Sequence, residues 1–323
     1  MFSYFKSPGK INNAYTIAFY NLENLFDTKN DPKILDDDFT PKGKKNWNPK
    51  RYKNKIKKLG NVITQLGTKK SYYSPAIVGV VEVENDTVLK DLVNNSALKN
   101  HNYGFVHYDS PDERGIDVAL LYKKELFELI SSETFPLYVN GSNGERDYTR
   151  DVLLVKGNLN GELMHVLVNH WPSRRSGFDE TEEKRIKAAE LVYKISENIT
   201  AETPNAKIII MGDFNDDPTS TSVKKHLVNN TFYNPMERLI NTGNGTLNYK
   251  GTWHLFDQII FSKNFFNLEE NTHTFKYAEV FDKHFLKEWK GKYKGNPFRT
   301  YIGKWYQSGF SDHFPVHVYL KKY

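Results

Sequence analysis

The chain has 323 residues and no cysteine, with 38% hydrophobic and 14% aromatic residues, a formal net charge of +6 and a pI near 9.0. This supplies core material and excludes disulfides, thiolate metal sites and a cysteine nucleophile; no run approaches the ~18 apolar residues of a bilayer span, so no stable membrane insertion is expected. The positive excess suits a polyanionic partner, or simply solubility.

Met1 to Lys10 lack the apolar stretch of a leader, so the chain reads as cytoplasmic by default; a signal peptide already removed would instead make it secreted. Tyr15 to Tyr20 is β-branched and aromatic, predicts a buried strand and runs directly into Asn21-Leu22-Glu23-Asn24. Thr28 to Asn48, rich in Asp, Lys, Pro and Gly, reads as a long loop. From Pro49, suited to a first helical turn, Tyr52, Ile56, Leu59, Ile63 and Leu66 recur at helical spacing with lysines on the other face. Ala76 to Val81 is the continuous apolar run of a fully buried strand, and it too ends in carboxylates, at Glu82-Val83-Glu84-Asn85.

Further strands are predicted at Tyr103 to Tyr108, Asp117 to Tyr122, Val152 to Leu159, Leu163 to Asn169, Lys207 to Met211, Asp257 to Ser262 and Pro315 to Leu320. Thr181 to Asn198 predicts an amphipathic helix with Ile186, Ala189, Val192 and Ile195 on one face and Asp179 or Thr181 as cap. Glu279 to Gly309 loses periodicity and reads as a large insertion. Many strands, few helices and no Gly/Ser- or Pro-rich linker point to a single domain over residues 1–323, with its core at about 15–320. Sheet packed on sheet with helices outside, an α/β sandwich, is the expected architecture.

The Lys207 to Met211 strand delivers Gly212-Asp213-Phe214-Asn215 at its end. The glycine permits close backbone approach, and a carboxylate beside an amide can hold a metal, a water and a phosphate oxygen, although Asp and Asn are also ordinary turn residues. Ser311-Asp312-His313 sets a hard oxygen ligand beside an imidazole that can take or relay a proton. Asp257, at the start of an apolar strand, could orient His313 and stabilise its imidazolium, or be satisfied by backbone amides. His170 ends a strand and is followed by Pro172, Arg174 and Arg175, whose guanidiniums match phosphate; a histidine there is as often only a satisfied polar residue.

Asn21-Leu22-Glu23, Val81-Glu82, His170, Gly212-Asp213-Phe214-Asn215, Asp257 and Ser311-Asp312-His313 occur in the order seen in the endonuclease/exonuclease/phosphatase superfamily. From about Tyr15 to Tyr319 the chain resembles the group that holds deoxyribonuclease I, exonuclease III-type abasic-site endonucleases, sphingomyelinases and inositol-polyphosphate 5-phosphatases. The resemblance implies a deoxyribonuclease I-like four-layer sandwich of two packed mixed β-sheets flanked by helices, with the site at one end. It implies Glu82 as principal ligand of Mg²⁺ or Mn²⁺, with Ca²⁺ as an alternative, and Asn21, Glu23 and Asp312 completing or bordering the metal site. Asp213 and Asn215 would position the attacking water and the phosphate, while His170 and His313, the latter paired with Asp257, would flank the scissile phosphate. Asn21 is also expected at the substrate, as is Arg150, which matches a phosphate-facing arginine of the nuclease branch. Glu84 is an alternative ligand, Arg114 a loop residue near the site, and the general base is left open between Asp213 and His313.

These residues supply what a divalent-metal-dependent phosphoesterase needs for water attack without a covalent enzyme intermediate: a positioned water, charge neutralisation and an acid or metal at the leaving oxygen. Lys42 to Lys58 and His284 to Lys294, continuing through Arg299, Lys304 and Trp305, join cations to aromatics, which makes nucleic acid the first expected substrate and a nuclease or phosphodiesterase the first reading. The same composition suits an anionic lipid surface, so a phosphatase or sphingomyelinase-like esterase on inositol, sugar or lipid phosphates is the second. A non-catalytic binding protein on this scaffold is the third, but it predicts erosion of catalytic positions that are all present here. A monomer is the default expectation.

Overall fold

In β1 (Ala14–Leu25), Ile17 and Phe19 join one buried cluster while Ala18, Tyr20 and Leu22 join another, so this strand is covered on both faces. The computed structural model describes residues 10–141, 143–175, 177–240 and 245–323; up to residue 9, the N-terminal stretch read for leader character lies outside them. After β1 come α1 (Pro49–Gln65), β2 (Ile77–Val83), α2 (Asp86–Asn94), β3 (Tyr103–His107), β4 (Asp117–Lys123), β5 (Phe127–Phe135), β6 (Val152–Leu159), β7 (Glu162–His170), α3 (Phe178–Glu202), β8 (Lys207–Asp213), β9 (Phe232–Tyr233), β10 (Asp257–Ser262), β11 (His273–Val280) and β12 (Val316–Lys322).

Two six-stranded mixed sheets result, in the orders β11-β12-β1-β2-β4-β3 and β9-β10-β8-β7-β6-β5. Each has one parallel pair at its centre, β1 with β2 and β7 with β8, and antiparallel neighbours elsewhere. Period-2 alternation builds three apolar layers between four structural ones. Val78, Val80, Ala119 and Leu121 pack with Ile56, Leu59 and Ile63 of α1; Ile77, Val81, Val118 and Leu120 meet Ile209 and Met211 between the sheets; Ile208 and Ile210 pack with Ala189, Val192 and Ile195 of α3. Each fully buried aliphatic side chain contributes roughly 1.5–3 kcal/mol. This is the expected four-layer sandwich.

Local sequence sets the helix ends unevenly. Asn48 caps α1 by accepting from the Lys50 and Arg51 amides, and Pro49 occupies the first turn. Lysines do not all take the solvent face: Lys53 and Lys57 are exposed, but Lys55 is buried among the apolar residues. α3 begins at Phe178 with Gly177 as N-cap, so neither Asp179 nor Thr181 caps it; Thr181 Oγ1 instead donates to the Gly177 carbonyl. Glu279 to Gly309, expected as an aperiodic insertion, opens with the last two residues of β11 and then holds a short 3-10 turn (His284–Leu286) and a small hairpin, Tyr301–Ile302 with Trp305–Tyr306. α2, β5, β9 and β11 had no counterpart among the predicted elements.

Candidate active site

Strand register brings together residues far apart in sequence. Asp213, the last residue of β8, is the lateral partner of His170 on β7 and of Asp257 on β10. Gly212 lets β8 approach β7 here, since a Cβ at that position would lie 2.4 Å from the Asn169 carbonyl oxygen. In the other sheet, β12 runs antiparallel to β1 and pairs Val316 with Phe19, which carries Ser311-Asp312-His313 to the end of β1. The Ser311 hydroxyl donates to the Asn21 carbonyl at 2.7 Å.

Two bulges aim the remaining acids. Register slips between Asn21 and Leu25 on β1 and between Val81 and Val83 on β2, and Glu23, Asn24 and Glu82 take φ of 51°, 51° and 62°. Asn215 joins them at 48°. Left-handed conformations in residues with a Cβ are uncommon and cost of order 1–3 kcal/mol in sparsely populated regions, so their clustering here marks a site that the surrounding packing holds in place.

Asp213 lies at the centre. Asn21 Nδ2 donates to its Oδ2 at 3.0 Å, the Asn215 amide donates to its Oδ1 at 3.0 Å, and His170 Nε2 and His313 Nε2 each stand 3.9 Å from Oδ2. Burial, with Asp257 beside it and against the pull of His313, pushes the Asp213 carboxyl up to about 6. Asp257 is fully buried and accepts from His313 Nδ1 at 2.7 Å. Burial opposes charge on His313, but Asp257, Asp213 and Asp312 outweigh it and hold the imidazole well above its ordinary range. His170 goes the other way: burial, then Arg150, Arg114 and His313, hold it well below, so it is neutral.

Glu82 Oε1 is 4.0 Å from His170 Nε2 and has only a 3.5 Å contact from Asn21 Nδ2, while Oε2 accepts from the Asn24 amide at 2.8 Å. Arg114, expected near the site, is there: Nη2 donates to Asn24 Oδ1 at 2.6 Å and lies 4.0 Å from Glu82. Asn21 does not present its oxygen to the carboxylates, because Oδ1 accepts the Glu23 amide at 2.9 Å; it bridges Glu82 and Asp213 as a donor instead. Glu23 is turned toward Lys55 and the Thr300 amide, at 3.5 and 2.7 Å, and so borders the site. Asp312 pairs with Arg299 Nη2 at 2.7 Å. Burial works against its charge, yet His313, Arg299 and Lys55 hold its carboxyl below the ordinary carboxylate range.

Arg150 is buried and tied to protein, donating to Asp112 Oδ2 at 3.0 Å and to the Trp171 carbonyl at 2.8 Å. That carbonyl also accepts Asn215 Nδ2 at 2.9 Å, so Arg150 reaches Asn215 through a shared acceptor. Glu84 is not brought to this cluster: it accepts the Asp27 amide and lines a separate cavity with Asp31, Asp109 and Asp112. Supporting residues that sequence reasoning passed over are Asp216, held by Arg174 at 2.6 Å and Arg185 at 2.8 Å behind the Asn215 turn, and Asp217, which accepts the Leu255 amide at 2.7 Å.

Acidic and imidazole groups that could hold a metal are therefore present. Asp213, Asp257 and His313 offer atoms within 4.8 Å of one another, but the short Asp257–His313 bond commits both of those partners to each other. Glu82, a hard anionic donor whose Oε1 has a contact of 3.5 Å from Asn21 Nδ2, fits a small divalent cation better. No helix among the described residues is long and apolar enough to cross a membrane.

The endonuclease/exonuclease/phosphatase family model matches residues 16–322. No curated protein matches the sequence. Among solved structures, a humanized D. rerio TDP2 superposes with a TM-score of 0.60 at 14% identity, over 96% of this chain and 100% of that one. The Bacteroides thetaiotaomicron mannosyl-6-phosphatase Bt3783 gives 0.59 at 19% identity, over 95% and 99%. D. rerio TDP2 complexed with a single-strand DNA product gives 0.56 at 14%, over 96% and 100%. At these identities the likeness is one of fold.

Proposed function

This chain belongs to the endonuclease/exonuclease/phosphatase family, and we propose that it is a divalent-metal-dependent phosphodiesterase that acts as a nuclease, with residues 1–323 working as one domain. The observation that carries this reading is the convergence of Asn21 on β1, His170 on β7 and His313 in the bend before β12 on one Asp213 oxygen, at 3.0 to 3.9 Å.

In this reading Asp213, oriented by Asn21 and the Asn215 amide, positions the attacking water and takes its proton as the water oxygen bonds to phosphorus and the bond to the leaving oxygen breaks. Asp257 fixes His313 through Nδ1, which leaves Nε2 to donate to a phosphoryl oxygen, and neutral His170 donates from the opposite side. Asn215, held by Trp171 and indirectly by Arg150, contacts the phosphate. Glu82 is the main holder of the cation, Mg²⁺ or Mn²⁺, and Asp312 borders that position. When bound, the cation neutralises charge on the phosphoryl and leaving oxygens. Fixed donors in a partly buried site act before any solvent must reorganise, which is why such sites accelerate hydrolysis.

The test is hydrolysis of bis-p-nitrophenyl phosphate and of plasmid DNA with Mg²⁺ or Mn²⁺. Turnover that EDTA abolishes is expected; turnover independent of metal, or none on any diester, would overturn the reading.

A further inference from the structure

Residues 283–309 hold seven lysines and arginines against one acid, Glu288. Their net charge of +6 makes this segment one of two concentrations of positive charge, the other being Lys42 to Lys58, which holds nine lysines and arginines and no acid. Lys283, Lys287 and Arg299 pair with Glu279, Asp282 and Asp312. Lys290, Lys292, Lys294 and Lys304 form no salt bridge among the described residues.

The same segment leaves large aromatic faces in water. Trp289, Tyr293 and Trp305 are 61%, 43% and 68% exposed, and Tyr249 on the facing Leu247–Tyr249/Thr252–His254 hairpin is 60% exposed. Each has the ammonium of an adjacent lysine over its ring: Lys290 at 4.6 Å, Lys292 at 5.8 Å, Lys304 at 5.7 Å and Lys250 at 5.1 Å. Tyr249 and Tyr293 line a cleft of about 610 Å³ together with Lys250, Lys292 and Arg299, and that cleft reaches Asp312 of the candidate active site.

The segment is anchored. Lys55, 1% exposed, donates to the Glu23 carbonyl and to Thr300 Oγ1, both at 2.6 Å, while the Thr300 amide donates to Glu23. Asn54 Nδ2 donates to Tyr306 Oη at 3.0 Å and Ser308 Oγ at 2.9 Å. The platform is thus tied to β1 and α1 at a set distance from the site.

We propose that residues 283–309, with the Tyr249 hairpin, form a platform for single-stranded nucleic acid that leads the unpaired strand to the active site. Lysines alternating with exposed rings match a strand whose phosphates and bases alternate. A duplex hides its base faces within its own stack, so these rings have nothing to stack on there. The inference rests on the phosphodiesterase reading for what happens to the strand, but not for its binding.

Binding is measured on the full chain in EDTA, by fluorescence anisotropy of a fluorescein-labelled single-stranded oligonucleotide and of the same strand annealed to its complement. Tighter binding of the single strand is expected. Tyr249→Ala/Tyr293→Ala and Trp289→Ala/Trp305→Ala, checked for fold by circular dichroism, weaken it by about 5- to 150-fold for each stacked base lost. Replacing Lys290, Lys292 and Lys294 with Gln lowers the slope of log affinity against log salt by up to about 2, at roughly 0.7 per phosphate contact. Duplex bound as tightly as single strand, or both aromatic variants within twofold of wild type, overturns the platform. Hydrolysis of bis-p-nitrophenyl phosphate by the wild-type protein reports separately on the phosphodiesterase reading: its absence alongside ring-dependent single-strand binding supports the platform and rejects only the chemistry.

Discussion

Asp257→Asn isolates what the buried carboxylate does for His313. The pair is 2.7 Å apart and Asp257 is fully buried. Coulomb's law at an effective dielectric of about 20 gives roughly 6 kcal/mol for unit charges at this distance. Asp213, 3.9 Å from the other ring nitrogen, survives and retains part of the field, so the expected loss is about 3–5 kcal/mol, or roughly 10²- to 10⁴-fold in kcat. The substituted amide also permits a flipped orientation that favours the wrong imidazole tautomer. Because the raised His313 pKa keeps the ring protonated at neutral pH, removing the anion lowers that pKa and moves the alkaline limb of the kcat profile to lower pH. The assay is steady-state hydrolysis of bis-p-nitrophenyl phosphate across pH with Mg²⁺, with circular dichroism to verify the fold. A folded variant with kcat within about threefold of wild type refutes the assigned role of the pair.

Glu82→Gln should raise the Mg²⁺ concentration needed for half-maximal activity by at least about tenfold, read by metal titration; an unchanged requirement removes Glu82 from the cation. Lys55→Met strands the buried Glu23 carboxylate and should cost about 3–5 kcal/mol in urea unfolding, with much of the loss recovered in Lys55→Met/Glu23→Gln; a loss below about 1 kcal/mol shows the knot to be dispensable. Burial, aided by Lys283, pushes His317 down to about 3, although Glu279 stands 3.7 Å away. Its folded pKa is therefore below the unfolded value of about 6.5, so its stabilising effect is intact above that pH and is lost as pH falls toward 3, by up to about 5 kcal/mol. His317→Gln should flatten this limb in pH-dependent unfolding, and an unaltered slope assigns the acid sensitivity elsewhere.

Strand ends were readable because an apolar run that stops abruptly at Asn21, Glu82 or Asp213 carries its own local signal. The lateral alignment of His170, Asp213 and Asp257 was not, since register depends on which strands pair across the sheet. Lys55 resembled every other lysine of α1; only the placement of Glu23 and Thr300 makes its burial tolerable. β5 escaped notice because its residues 128–131 are exposed and carry no alternation of an inner face. α2 does leave a trace, Asn85 as cap and Val88, Leu89 and Leu92 at helical spacing, but a helix of nine residues is too short for that period to stand out. Asn21 as a donor could not be deduced, because amide orientation follows from the network around it.

The left-handed backbone at Glu23, Asn24, Glu82 and Asn215 sets a limit on how far this protein can be engineered for heat. Screens that reward melting temperature alone would favour glycine at such positions, where a side chain is carried against local preference. At Glu82 and Asn215 the side chain that is conformationally expendable is the one the proposed chemistry requires. Thermal hardening must therefore come from the helices and outer strands, and variants improved at this edge should be counted as suspects for lost turnover.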